Sequence, residues 1–179
     1  MTRSYDYAHR AGVHEITWSE FGKLAAELAE RIAAHSPDIV VGIARAGLFP
    51  ATAVACSLRR ELYPVRVTRR VDDRVTFDHP VWRVDVPAGV AGQRVVVVDE
   101  MADSGETLAL VAGRVRERGA AHIITASLIA HSWAAPAPQV TALVTDAFVI
   151  YPWDAQVYMD GVWCRHPEIV EGLRRQGLE

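Results

Sequence analysis

The sequence predicts an α/β fold, an open, mostly parallel, twisted sheet flanked by helices. Three observations lead there. Short apolar runs dense in β-branched residues recur at 38–44 (DIVVGIA), 94–100 (RVVVVDE) and 121–129 (AHIITASLI), as strands buried on both faces require. Between them lie segments whose apolar residues repeat at helical spacing. Strands that alternate with helices favour parallel pairing, because a parallel crossover needs a helix to bring the chain back.

The first helix is expected at 17–35. It opens on a Thr or Ser cap, carries Phe21, Leu24, Leu28 and Ile32 at helical spacing, and is stopped by Pro37. The strand at 38–44 is followed by a turn (RAGLFP), a helix over 51–62 and a strand over 64–71. Residues 72–93 break the pattern. Asp72, Asp73, Asp78, His79, Pro80, Pro87, Gly89 and Gly92 leave only short apolar stretches, which predicts a flexible loop or β-hairpin at about 71–93, suited to a lid. Regularity returns with the strand at 94–100, a helix at 105–119 closed by Gly119, and the strand at 121–129. A loop (HSWAAPAPQV), a last strand at 141–150 and a short helix within 168–178 complete the pattern.

The chain has 179 residues, half of them hydrophobic and 23% charged, enough to bury one core without disulfides or a structural metal. A single domain over 1–179 is expected. The net charge of −3 gives no support to a nucleic-acid partner. Cys56 and Cys164 fit neither a metal spacing nor a disulfide framework; Cys56, in the run AVACSL, reads as a small buried residue. The opening residues MTRSYDYAHRAG lack the apolar core of a signal peptide. No apolar run approaches the ~20 residues that span a bilayer. A cytoplasmic protein with no membrane partner is the expectation.

Residues 95–108, VVVVDEMADSGETL, carry the strongest chemical signal. Four valines end in two adjacent carboxylates, and a short polar turn then opens into a helix. Backbone N–H groups at such a helix start converge on an anion. Ser104 and Thr107 add hydroxyls, and Gly105 permits close approach and an unusual φ. Neither a Walker loop nor a dinucleotide fingerprint is present. Asp99 and Glu100 would repel a bare phosphate. They make sense if the ligand also brings hydroxyls or a divalent cation, as a ribose 5-phosphate does. The plainer alternative is a generic strand–helix turn.

This stretch resembles the PRPP-binding motif of the type I phosphoribosyltransferases. The resemblance runs from Trp18 to Asp154 and is nearest to the xanthine–guanine and short archaeal hypoxanthine–guanine enzymes. It implies their fold, with a lid hairpin and a small hood formed from about 146–179 with N-terminal contributions. It places the 5-phosphate on Ala102, Asp103, Ser104, Gly105, Glu106 and Thr107, and the ribose hydroxyls and Mg²⁺ on Asp99 and Glu100. Asp103 is implied as the catalytic base acting at purine N7; helix capping is its competing role. The family's second acid is usually Asp, so Glu100 is one methylene longer.

The segment GIARAGLFPA (42–51) resembles the family's pyrophosphate turn, which places Arg45, Ala46 and Gly47 at the leaving group. The family's peptide here is often cis, which points to Arg45–Ala46. Arg69 and Arg70 read equally well as pyrophosphate ligands or as solvated strand-end charges. The segment DAFVIYPWD (146–154) resembles the base-binding end of the purine enzymes. Phe148 is then the stacking platform, Val149 presents backbone groups to the base edge, Asp154 belongs to the same site, and Trp153 is packing. His131 stands where these enzymes place a Lys that contacts a 6-oxo group. Asp72, Asp73 and His79 are ordinary loop residues, and His9, His14, His35 and His122 read as surface.

The implied reaction transfers a phosphoribosyl group from PRPP to a purine, with Mg²⁺ as cofactor, in a homodimer or homotetramer. Two alternatives stay open: transfer to a non-purine acceptor in a specialised pathway, which Glu100 and His131 keep alive, and a PRPP-binding regulatory protein.

Overall fold

The computed structural model describes residues 10–68, 70–71, 74–77 and 80–178. In chain order its elements are β1 (Val13–Glu15), α1 (Trp18–Ala33), β2 (Ile39–Ile43), α2 (Leu48–Leu58), β3 (Glu61–Thr68), β4 (Arg70–Val71) and β5 (Arg74–Val75). They continue with β6 (Val81–Val84), β7 (Arg94–Ala102), α3 (Glu106–Glu117), β8 (His122–Ala130), β9 (Val140–Val144), β10 (Phe148–Ile150), β11 (Gln156–Met159), β12 (Val162–Arg165) and α4 (Pro167–Arg175). These elements fall into two compact units, one over Leu24–Thr145 and one made of the residues before and after it. Among the described residues, no helix is long and apolar enough to cross a membrane.

The larger unit holds a six-stranded sheet in the order β6-β3-β2-β7-β8-β9. Five strands run parallel, and β6 is antiparallel to β3. The predicted open, mostly parallel sheet is therefore present. All five residues of β2 are buried, as are Val95–Asp99 of β7, which is why these runs read as unbroken apolar stretches. A core cluster joins Val41, Val65 and Val97 of the sheet to Val111 and Val115 of α3. From β2 the chain goes to β3 on one side, and it later returns to add β7 on the other. The strand order thus reverses between β2 and β7. Loops at the C-terminal ends of the strands flanking such a reversal form the usual crevice for a ligand.

The smaller unit contains the parallel pair β1–β10, the β11–β12 hairpin and α4. Phe148, Ile150, Ile169 and Leu173 form its apolar cluster. Trp153 stacks on Tyr151 at 4.7 Å and meets Phe21 edge-on at 5.3 Å. Thr17 caps α1 as predicted: its Oγ1 accepts the Glu20 amide at 3.1 Å.

Several expectations need correction. Part of the segment expected as a loop or β-hairpin is strand: Val81–Val84 forms β6, antiparallel to β3 in the central sheet, and Val86 and Val90 beyond it are fully buried in the core. The Pro and Gly density masked two valines that anchor the segment. Among the described residues, the antiparallel β4–β5 pair also lies where the lid was expected; Arg69, Asp72, Asp73, Asp78 and His79 lie outside the described residues. The strand expected at 141–150 is two strands. β9 is an edge of the large sheet, while β10 pairs with β1 in the smaller unit. α2 starts at Leu48 rather than at 51, since Pro50 is tolerated in a first helical turn. Arg59 ends α2 with a left-handed φ of 53°, so β3 begins at Glu61. Cys56 is exposed, because the buried stripe of α2 is Pro50, Ala51, Val54 and Ala55.

One polar clamp ties the segment after β6 to α3. Asp85 accepts from Arg114 Nε at 2.8 Å and Nη2 at 2.6 Å, and from Arg118 Nη2 at 2.5 Å. The Arg114 hydrogen bonds hold the Asp85 carboxyl well below the usual carboxylate range. A carboxyl with a depressed folded pKa stabilises the fold above its unfolded pKa and loses that effect as pH falls below it. Asp85→Asn is therefore expected to lower the Tm by a few degrees at pH 7. The deficit should shrink steadily as melts are repeated below about pH 4.

Candidate active site

Three loops at the C-terminal ends of adjacent strands β2, β7 and β8 build the candidate site. The β2 loop carries Arg45, Ala46 and Gly47. Arg45 is exposed, Ala46 half-buried and Gly47 buried. A Cβ on Gly47 would lie 2.5 Å from both Asp99 Oδ1 and Ile43 O. Glycine is thus required because the β2 turn lies directly against the Asp99 carboxylate on β7. The cis peptide in this turn is Ala44–Arg45, one bond before the position that the resemblance pointed to.

At the end of β7, Asp99 is buried and Glu100 half-buried. Asp99 Oδ1 accepts the Glu100 amide at 3.0 Å. Burial pushes the Asp99 carboxyl well above its usual range, and the charge of Glu100 pushes it further. A metal-free protein therefore holds two crowded acids where a cation would relieve both. Among the described residues no group of three or more His, Cys, Asp or Glu side chains is arranged to hold a metal by itself. Two carboxylates suit a hard divalent cation that takes its remaining oxygens from a phosphorylated substrate and water.

The chain then turns through Ala102, Asp103, Ser104 and Gly105 into α3. Gly105 occupies the N-cap position, with φ 81°, and has no side chain to cap the helix itself. Asp103 therefore does not serve as N-cap; Ser104 Oγ accepts the Glu106 amide at 3.3 Å. Ala102 and Gly105 are buried, Asp103 and Thr107 half-buried, and Ser104 and Glu106 exposed. A Cβ on Gly105 would collide with the carbonyl oxygen of Pro136. The first-turn amides of α3 point back into this loop, where an anion is favoured.

The third loop follows β8 and is stitched to the second. The His131 amide donates to Ala102 O at 3.1 Å and the Ala135 amide to Ser104 O at 3.0 Å. His131, expected at the base edge, has a fully buried side chain whose Nδ1 donates to Thr145 O at 2.5 Å. Trp133, which sequence reasoning passed over, donates its indole N–H to Asp103 Oδ1 at 3.3 Å. An aromatic in a Pro/Ala-rich loop beside the motif was the available signal.

The larger unit thus brings together the residues predicted for phosphate, ribose, cation and base catalysis. The predicted stacking residue Phe148 and its neighbour Val149 are buried in the smaller unit, and Asp154 is exposed there. Nothing is described of the Arg70 side chain.

Comparison with known proteins places the chain in a family. The phosphoribosyl transferase domain matches residues 14–158. The chain belongs to the phosphoribosyltransferase family. It is 29% identical over 167 residues to a xanthine-guanine phosphoribosyltransferase of Cereibacter sphaeroides, covering 82% of this chain and 89% of that one. An adenine phosphoribosyltransferase of Acidobacterium capsulatum is 32% identical over 106 residues, covering 55% and 59%. The crystal structure of a purine phosphoribosyltransferase from Pyrococcus horikoshii superposes with a TM-score of 0.71 at 28% identity, covering 79% and 93%.

The raised Asp99 pKa has a measurable consequence. A carboxyl whose folded pKa lies above its unfolded value costs stability increasingly as pH rises past the unfolded value. Asp99→Asn removes that cost. In EDTA the variant should melt above wild type at pH 8. The gain should vanish near pH 4. A variant that melts lower at every pH would refute this account of the acid pair.

Proposed function

We propose that this phosphoribosyltransferase joins a nitrogen of a 6-oxopurine to C1 of PRPP and releases pyrophosphate, as in purine salvage. What carries the reading is Asp99 packed against the Gly47 turn, beside a helix-start phosphate loop. A leaving group, a ribose and a 5-phosphate are thereby served by contiguous backbone. The 5-phosphate is assigned to the amides of 102–107, and the ribose hydroxyls to Asp99 and Glu100. The leaving pyrophosphate is assigned to Arg45 and the Ala46–Gly47 backbone, aided by Arg69 and Arg70. Mg²⁺ held by Asp99 and Glu100 would neutralise the departing diphosphate.

In the reaction the base nitrogen's electron pair forms the bond to C1. The C1–oxygen pair leaves with pyrophosphate. The proton on the base goes to Asp103, acting as general base. Positive charge builds at C1 while negative charge leaves, so the chain's contribution is positioning and electrostatic. Phe148, Val149 and Asp154 are assigned to the base, and residues near 71–80 to a lid that keeps water from C1. We take the whole chain as one functional domain, working in the cytoplasm as a homodimer or homotetramer.

A second reading, transfer to a different acceptor, draws on His131. Its ring stands at the position of a family Lys but is buried and turned to Thr145 O.

Pyrophosphate release should be followed with PRPP, Mg²⁺ and hypoxanthine, guanine, xanthine or adenine. Turnover is expected with at least one 6-oxopurine. Asp103→Ala should cut kcat by about 100-fold or more, with little change in KM for PRPP. Turnover with no purine at all would reject the purine assignment.

A further inference from the structure

The loop after β8 makes a built contact with the catalytic carboxylate. Trp133 Nε1 donates to Asp103 Oδ1 at 3.3 Å. The His131 ring lies against the indole, with centroids 4.4 Å apart and planes 20° from parallel. His131 is itself fixed. Its Nδ1 lies 2.5 Å from Thr145 O, and a carbonyl oxygen only accepts, so Nδ1 carries the proton. In the neutral ring, Nε2 then presents a lone pair, and it faces Asp103 Oδ1 at 3.9 Å, too far for a hydrogen bond. The indole N–H is therefore the donor of this pair that reaches the carboxylate. His131 is fully buried while Trp133 is 46% exposed. The imidazole thus acts as a rigid floor that sets the plane of the indole.

We infer that Trp133, supported by His131, is a positioning residue for Asp103. The indole N–H holds Oδ1, fixing the carboxylate's rotation so that it meets the base proton. A hydrogen bond to a charged acceptor is among the stronger kind, and an aromatic floor limits the indole's rotamers. The contact is local to the loops after β7 and β8, which are already joined by the His131–Ala102 and Ala135–Ser104 backbone bonds. It also gives His131 a role other than direct contact with the base. This inference rests on the reading of Asp103 as general base.

The test is steady-state kinetics on the full-length protein with PRPP, Mg²⁺ and the best base from the panel. Trp133→Phe keeps an aromatic over His131 and removes the N–H. It is expected to lower kcat about 10-fold while leaving KM for PRPP and for the base within about 2-fold. Trp133→Gln, which returns an N–H of similar reach, should recover part of that loss. His131→Asn keeps a donor for Thr145 O but removes the floor, and should also lower kcat selectively. In an Asp103→Ala background, Trp133→Phe should have almost no further effect, because the two act as one unit. Wild-type kcat in Trp133→Phe would overturn the inference, and so would a loss of equal size with Asp103 absent. A raised KM for the base with kcat intact would also overturn it, marking Trp133 as a direct base contact. If Asp103→Ala keeps wild-type kcat, the general-base reading fails instead. Trp133 is half exposed, so the substitution leaves the core intact, and thermal melts verify folding for each variant.

Discussion

A carboxylate buried at the reversal of strand order organises the larger unit. Asp99 follows the four buried valines of β7, and its Oδ1 lies 2.5 Å from where a Cβ on Gly47 would fall. A buried acid crowded by a second acid is costly in an empty protein, and such a cost persists where a site requires it. The surrounding chemistry follows from that placement. The β2 turn is limited to glycine at Gly47. The β7 strand must end within reach of a helix start, which balances the acids with converging amides. A cation and a phosphorylated sugar then fit as one ligand, each cancelling charge that the other leaves.

The loop after β7 is braced by the neighbouring strand end as well as by Ser104 at the helix start. Gly105 takes a left-handed φ against the Pro136 carbonyl. Without a Cβ there, the loop after β8 can close over the loop after β7, and two backbone hydrogen bonds hold them together. Side chains near the reacting atoms are thereby released from structural duty. Asp103, in particular, has one oxygen engaged by an indole N–H.

How much of this was legible in the sequence depended on whether a feature was local. Val95–Val98 and the apolar run of β2 announced buried parallel strands, since burial on both faces leaves no alternation to misread. The phosphate turn was legible because a valine run, two acids and a glycine must fall in fixed order. What failed depended on partners distant in sequence. Val81–Val84 looked like loop among prolines and glycines, yet it pairs with β3. The run 141–150 looked continuous, because nothing local says that Phe148 pairs with Val13 while Val144 pairs with Ala130. Cys56 was misjudged because composition cannot tell which stripe of α2 faces the sheet. His131 was found by position, but its direction is set by Thr145, fourteen residues away.

Selectivity for the base therefore has a different physical origin from catalysis of the sugar transfer. On the function proposed above, the phosphate and ribose side is held by backbone, glycines and a buried acid, which tolerate little variation. The side toward the base depends on individual side chains. A Lys at the position of His131 would offer a charged donor to a 6-oxo group, since an ammonium only donates. The imidazole here instead directs Nδ1 to the Thr145 carbonyl. On that proposed function, discrimination between oxo and amino purines would then draw on backbone groups, which both donate and accept, and on shape, since stacking alone is tolerant of base identity.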